Sequence, residues 1–423
     1  MSEFATTEAR SPRRVIVIVC LAQTLAQLGA FVFPALLPDF IDAWQLTHSE
    51  AGLLAGIFFG AYACAVPVLV TLTDRLPARR VYLFAVLMTT LAHLGMAFLA
   101  EGFWTGLVFR VLAGVGWAGT YMVGLRALTD ELDGSTRSRG VAFHAASIGV
   151  SGALSFVLAG YVSASWDWHW AFVVASVSSA AALCLAFVAF PRRAPQGQAV
   201  DTQLRAVFDF RPVFRNRSVM AYTTGYFAHT WEMFVLRSWA VTFLVFAASG
   251  ADAVTLLVLP TVAAMLMELT GTISSVAGNE LALRVGRQKW IVSVMFCSML
   301  IATFIGFSSG LGYGVAVGTL LIYNALIYAD SASLTAGTIG SADPNRRGAT
   351  LAVHAMMGYT GGFIGPVVLG GLLDALGGES VQNWGVAFMH VAVVGLIGPL
   401  AFRILKPKDL DGDKASDAPG QRG

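Results

Sequence analysis

The sequence predicts an all-α integral membrane protein of twelve transmembrane helices, built as two pseudo-symmetric six-helix bundles with both termini in the cytoplasm. Three observations predict it: apolar runs of membrane-spanning length, strict alternation of basic loops, and an internal repeat. The 423 residues are 56% hydrophobic and 12% charged, with a mean hydropathy of +0.69. A soluble domain carries about 25% charged residues.

The apolar residues fall in runs of about 20, the length that crosses a ~30 Å hydrocarbon core as helix. These runs place spans at 15–37, 50–72, 80–100, 103–128, 140–163 and 169–190, then at 219–246, 254–277, 289–309, 311–338, 349–374 and 384–404. Lipid leaves backbone donors and acceptors unsatisfied, so each run is helical.

The connections alternate in charge. One set carries Arg13 and Arg14, Arg75 with Arg79 and Arg80, Arg137 and Arg139, the stretch from Arg192 to Arg217, Arg284 with Arg287 and Lys289, and Arg346 with Arg347. The opposite set, around Asp42, Glu101, Asp167, Asp252, Gly310 and Glu379, holds no Lys or Arg. The positive-inside rule puts the first set in the cytoplasm, which requires an even number of spans.

The longest internal polar stretch, 191–218, divides the chain. The expected organisation is a cytoplasmic N-terminus (1–14), a six-helix bundle (15–190), a cytoplasmic linker (191–218), a second bundle (219–404) and a cytoplasmic tail (405–423). The linker's end, with Leu204, Val207 and Phe208, is amphipathic and is expected along the membrane surface. The polar tail is expected to be disordered. Shifting the first half by 210 positions brings Arg137, Ala142, His144, Ala145, Gly152, Val157 and Gly160 onto Arg347, Ala352, His354, Ala355, Gly362, Val367 and Gly370. Parallel repeats of this kind carry a substrate site at the interface of the halves, near mid-membrane.

Other classes are disfavoured. The net charge of +2 and short basic clusters beside spans give no nucleic-acid footprint. Cys20, Cys64, Cys184 and Cys297 all lie in apolar spans and read as small hydrophobes rather than disulfides or metal ligands. No signal-peptide cleavage site follows the first apolar run. No zinc-protease helix, nucleophile elbow or phosphate-binding glycine loop is present, so the protein is read as no enzyme, with no cofactor and no metal.

Leu72-Thr-Asp74-Arg75-Leu-Pro-Ala-Arg79-Arg80, between spans two and three, resembles the loop signature G-x-L-A-D-R-x-G-R-R of the major facilitator superfamily. A second copy, Gly278-Asn-Glu-Leu-Ala-Leu283-Arg284-Val-Gly286-Arg287, has Leu283 in the place of the Asp. Arg110-Val-Leu-Ala-Gly114-Val-Gly116 matches the family's R-x-x-x-G-x-G pattern in span four. The resemblance covers essentially the whole chain. Segments Trp231–Trp239 and Tyr328–Ser331 resemble a bacterial branch of the superfamily. The exporters' Gly-Pro pair is missing from span five, and the Asn of nitrate carriers is missing from spans five and eleven. The resemblance implies a secondary transporter working by alternating access in the inner (plasma) membrane. It also implies a gating role for Asp74, Arg75, Arg79, Arg80, Arg284 and Arg287 at the cytoplasmic ends of the helices.

Charges inside lipid are expensive and mark function. Away from span ends there are five: Arg110, Glu232, Arg237, Glu268 and Asp330. Arg110, Gly114, Trp117, Tyr121 and Gly124 form one helical stripe on span four. Span one aligns Gln23, Gln27 and Pro34, span seven Tyr222, Tyr226, His229 and Met233, and span ten Asn324, Tyr328, Ser331 and Thr335. Span eight carries Thr261, Glu268, Thr272, Ser275 and Asn279. By the resemblance, spans one, four, seven and ten line the central cavity.

The candidate substrate contacts are therefore Gln27, Arg110, Trp117, Tyr121, Tyr226, Arg237, Asn324 and Tyr328. Two guanidiniums offer forked donors to an organic anion. Glu232, Glu268 and Asp330, with His229 a turn from Glu232, are the candidate proton-coupling groups, because desolvation favours a carboxyl's neutral form. The competing reading makes these charges ion pairs that hold helices together. Glu232 and Arg237 are five apart, about 140° around the helix, and so look to different partners. Glu268 lies outside the cavity-lining set and is expected to pair with a charge on a neighbouring helix. His93, His144 and His354 are read as packing residues.

The leading expectation is an ion-driven carrier of a small polar solute, with lipid bilayer, small-molecule substrate and coupling proton as partners, most simply an organic anion moved with protons by a monomer. The alternatives are proton-coupled efflux of an aromatic or amphipathic compound, suited to Trp117, Tyr121, Tyr222 and Tyr226, and a transporter-like solute sensor.

Overall fold

A computed structural model describes residues 11–73, 75–190, 209–249, 258–410 and 413. Asp74, the linker stretch with Leu204, Val207 and Phe208, and the chain ends at 1–10 and 414–423 lie outside the described residues.

The described chain is helical and antiparallel from span to span. Eleven helices are long and apolar enough to cross a membrane. They are spans two (His48–Leu72), three (Ala78–Phe98), four (Phe103–Thr129), five (Gly134–Ser165), six (Trp168–Ala189) and seven (Arg217–Ala248). Span eight is Pro260–Val285, nine Arg287–Leu311, ten Tyr313–Gly340, eleven Arg347–Ala375 and twelve Val381–Leu405. The remaining span, the first, is broken into Pro12–Gln27, Val32–Ala35 and Leu37–Ala43. Together they make the twelve-helix, two-bundle fold.

The break in span one has a local cause. Gly29 packs its bare backbone against the His93 ring and Ala175, where a side chain would collide. Pro34 and Pro38 then remove two backbone donors within one turn. Span ten is likewise interrupted at Ala329 and Asp330, between Tyr313–Tyr328 and Ser331–Gly340. Helix starts elsewhere carry the expected caps: Thr47 and Glu50 form a capping box on span two, and Asn216 caps span seven.

Large apolar side chains such as Phe98, Ile273, Leu300 and Val393 are exposed on the outer surface. In a bilayer this surface meets lipid rather than water. Span seven is the opposite case: Trp239, Phe243 and Leu244 are fully buried, and its mid-span charges Glu232 and Arg237 are buried too.

Two seams join the halves. Spans two and eleven touch backbone to backbone, since side chains on Gly52, Gly56 and Gly370 would strike the carbonyls of Pro366, Phe363 and His48. Spans five and eight meet glycine to side chain, with Gly149 against Thr272 and Gly160 against Thr261. Small residues permit such contact where no hydrophobic force draws helices together.

The tail departs from the expected disorder. Residues 406–410 and Asp413 are held to the basic face of the second bundle. Lys408 donates its N–H to Ser218 Oγ at 3.0 Å, and Gln288 reaches the Pro407 carbonyl and Asp409 at 2.9 and 3.0 Å.

Candidate functional site

Between the seams, mid-way along the spans, aromatic rings from both halves stack on one another. Tyr62 of span two and Tyr359 of span eleven have ring centroids 3.9 Å apart, as do Phe59 and Phe234. Trp117 lies 5.2 Å from Tyr62 and 5.8 Å from Tyr359. Tyr121 and Tyr226 adjoin this group. Tyr121 stacks on His144, and Tyr226 on His354 at 3.9 Å. The two repeat-related histidines thus each sit beneath a tyrosine, one in each half, and both are buried.

The intramembrane charges separate into distinct settings. Arg237 forms a forked ion pair with Glu268 of span eight: Nε to Oε1 is 2.6 Å, and Nη2 contacts Oε2. Its guanidinium lies over Phe31 of the first half at 4.6 Å and near Tyr328 at 5.6 Å. A side chain on Gly152 of span five would come within 3.0 Å of Glu268 Oε2. The pair therefore stands at the junction of the halves, covered by Phe31 and Gly152.

Arg110 is directed into its own half. Nε and Nη2 donate to the Leu54 and Ala55 carbonyls at 2.9 and 3.2 Å, with Phe33 and Phe58 on either side at 4.8 and 4.7 Å. His229 Nδ1 lies 2.8 Å from Asp330 Oδ1. Glu232 accepts from Ser298 at 3.2 Å and adjoins Tyr323. Asn324 donates to the Met267 carbonyl at 2.6 Å. Gln27 borders Trp117 inside the first bundle. The structure so gathers Trp117, Tyr121, Tyr226, Arg237 and Tyr328 near the centre. It holds Arg110 and Gln27 in the first bundle, and Glu232 and Asn324 in the second.

At the basic face, Arg75, Arg80 and Arg284 are exposed. Arg79 donates to the Phe187 carbonyl at the end of span six and lies 5.2 Å over the Phe187 ring. Arg287 occupies the matching place in the second half. It forms two 2.8 Å bonds with Asp413 of the tail and one of 3.2 Å with Asn279. A carboxylate of the tail thus meets Arg287, in the loop copy where Leu283 stands in place of the Asp. Among the described residues no group of three His, Cys, Asp or Glu is placed to hold a metal ion.

Two features escaped the sequence reading. A cavity of about 430 Å³ opens toward the basic face, walled by Val66, Pro67, Val70, Met122, Phe210 and Leu351, with Arg126 and Thr129 among its lining. Arg126 also donates to Thr73 Oγ1 at 2.7 Å. In sequence Arg126 looks like one more basic residue at a span end. At the opposite face Asp374 closes span eleven onto span two. One carboxylate oxygen accepts from the His48 N–H at 3.0 Å and meets His48 Nδ1 at 2.9 Å. The other accepts from the Ser49 N–H and hydroxyl at 2.7 and 2.5 Å. A carboxylate of one half thus caps a helix N-terminus of the other.

Halves sealed on one face, with a cavity on the other and buried charges between, define a membrane carrier. Residues 19–366 match the model of the Major Facilitator Superfamily, and the chain belongs to that family: it is a multi-pass membrane transporter. It is 26% identical over 238 residues to Protein spinster homolog 1 of Homo sapiens, which covers 54% of this chain and 45% of that protein. It is 22% identical over 253 residues to the Sphingosine-1-phosphate transporter SPNS2 of Danio rerio, covering 56% and 50%. The matched region thus spans about half the length of these relatives. The fold is similar to the crystal structure of the nucleoside transporter NupG, with a TM-score of 0.72 at 12% identity, covering 94% of this chain and 99% of that one. It is also similar to a bacterial homolog of the human lysosomal transporter Spinster in an inward-facing, unoccupied conformation, with a TM-score of 0.71 at 15% identity, covering 94% and 97%.

Proposed function

We propose that this transporter carries an amphipathic organic anion across the inner membrane by alternating access, coupled to protons and working as a monomer. The observation that carries the reading is the cavity on the basic face. Its walls are mostly apolar, and Arg126 is the guanidinium along its lining. Apolar walls with a few placed polar groups are the usual form of a small-molecule site. A forked guanidinium suits a carboxylate or phosphate. One relative is named for sphingosine 1-phosphate, a chain with an anionic end, and that chemistry fits these walls.

The anion meets Arg126 first and moves inward along the aromatic group of Tyr62, Trp117 and Tyr359. Arg237 becomes available to it only as Glu268 lets go, which ties binding to separation of the halves at Phe31 and Gly152. Glu232 is the proton site of this reading. Asp330 faces His229 and Glu268 faces Arg237, whereas the hydrogen-bonding neighbours of Glu232 are the neutral hydroxyls of Ser298 and Tyr323.

The test is flux in proteoliposomes with an interior pH dye, comparing single-chain phosphates, short carboxylates, nucleosides and aromatic cations. Proton movement is expected with the amphipathic anions, reduced at least tenfold in Arg126→Gln, and with its pH dependence flattened in Glu232→Gln. Transport of short polar solutes alone, or a wild-type rate in Arg126→Gln, overturns the reading.

A further inference from the structure

Within the first bundle, four helices turn polar groups toward one another. Span one presents Gln23 and Gln27, one turn apart. Span three presents Tyr82, Thr89 and His93, at i, i+7 and i+11 on one face. Span four adds Trp117 and Gly124, and span five adds His144. Every one of these side chains is more than nine-tenths buried. Yet both amide atoms of Gln23 and of Gln27, the Tyr82 hydroxyl, the Trp117 indole N–H and both ring nitrogens of His144 have no hydrogen-bond partner among the described residues.

One place lies open between them, a cavity of about 10 Å³ bordered by Gln27, Thr89, His93 and Trp117. Beside Gly124 the packing is close: a side chain there would stand 3.2 Å from both His144 Nε2 and Tyr82 Cε2.

We propose that this seam is a water-binding site, with one water held by Gln27, His93 and Trp117. Buried donors and acceptors left without partners are costly, and native interiors pair nearly all of them. The cavity is about the size of one water, which needs two to four polar partners, and it excludes any organic solute. The donor set also points to water. Amide, indole and imidazole offer donors and acceptors together, as a neutral ligand requires and a bare ion does not. The water fixes the Trp117 indole on its hidden side, while the ring's other contacts reach across the halves to Tyr359. Hydration of this seam is therefore a positioning device for a residue at the centre of the transporter, independent of which solute is carried.

Two measurements test it on the full-length protein in lipid nanodiscs. Millisecond hydroxyl-radical labelling in oxygen-18 water is expected to oxidise Trp117 and His93 despite their burial, alongside the exposed control Trp104. Gln27→Leu is expected to abolish both buried labels and to lower the melting temperature, because displacing the water strands Trp117 and His93. If the seam is dry, Gln27→Leu removes a partnerless amide from apolar packing and raises the melting temperature. That rise, or labelling of Trp104 without Trp117 and His93, overturns the proposal. Should Gln27→Leu fail to fold, Trp117→Phe keeps an aromatic ring, though a smaller one, and removes the N–H. Loss of the His93 label then supports the site, and an unchanged His93 label refutes it.

Discussion

Replacing Asp374 with Ala should shift the transporter toward its outward-open state. The carboxylate takes four contacts from span two, at 3.0, 2.9, 2.7 and 2.5 Å. A net hydrogen bond contributes about 0.5–1.5 kcal/mol. With side-chain exposures of 18% and 29% for His48 and Asp374, the lower end of that range applies, because solvent screens the pair. Four contacts at roughly 0.5 kcal/mol each give about 2 kcal/mol, and about 1.4 kcal/mol is a tenfold change in an equilibrium constant. The closed-to-open ratio on this face should fall roughly 30-fold. The assay is double electron–electron resonance between spin labels at Ala43→Cys and Gln382→Cys, both exposed and one in each half, with the four native cysteines replaced. A longer-distance population should grow in Asp374→Ala and also, to a smaller degree, in Ser49→Ala. An unchanged distance distribution in Asp374→Ala would refute the view that this cap holds the face shut.

Glu268→Gln should lower the melting temperature sharply, because breaking a buried pair strands a charge at a cost of about 3–5 kcal/mol; the double variant Arg237→Met with Glu268→Leu should recover most of the loss. Equal melting of the single and double variants would show that the pair is not the coupled unit its geometry indicates. Arg287→Ala and Asp413→Ala should each free the tail to trypsin at Lys406 and Lys408, and the combined variant should be cut no faster than either. Additive rates would mean that the two residues act on separate contacts.

Much of the fold was legible because the bilayer leaves so few solutions. Twenty-residue apolar runs and the alternation of arginines across loops report directly on solvent, and the helices stand at those places. Span one was not legible in detail. Pro34 and Pro38 stand in the sequence, but the close approach of Gly29 to His93, on a helix some 60 residues away, is a contact that local periodicity does not register. Charge placement was legible, but partnership was not. That Glu268 stands off the cavity-lining set followed from the family resemblance; that its partner is Arg237 is fixed only by packing. Arg126 and Asp374 were hidden for a simpler reason. A charge at a span end always has an ordinary topological explanation, so its function shows only when the opposite half is in view.

The glycine seams carry a consequence for how fast the halves exchange. Where spans two and eleven meet at Gly52, Gly56 and Gly370, one side of each contact is backbone already ordered by its own helix. Closing such a surface freezes few rotamers, and rotamer freedom is a large entropic toll on bringing long side chains together. The two arrangements can then lie close in free energy without a deep well on either side. Directional polar bonds at the rims, few and partly wet, become the elements that decide which face is shut. Selection can retune the balance at a rim, one side chain at a time, while the seam itself stays as it is.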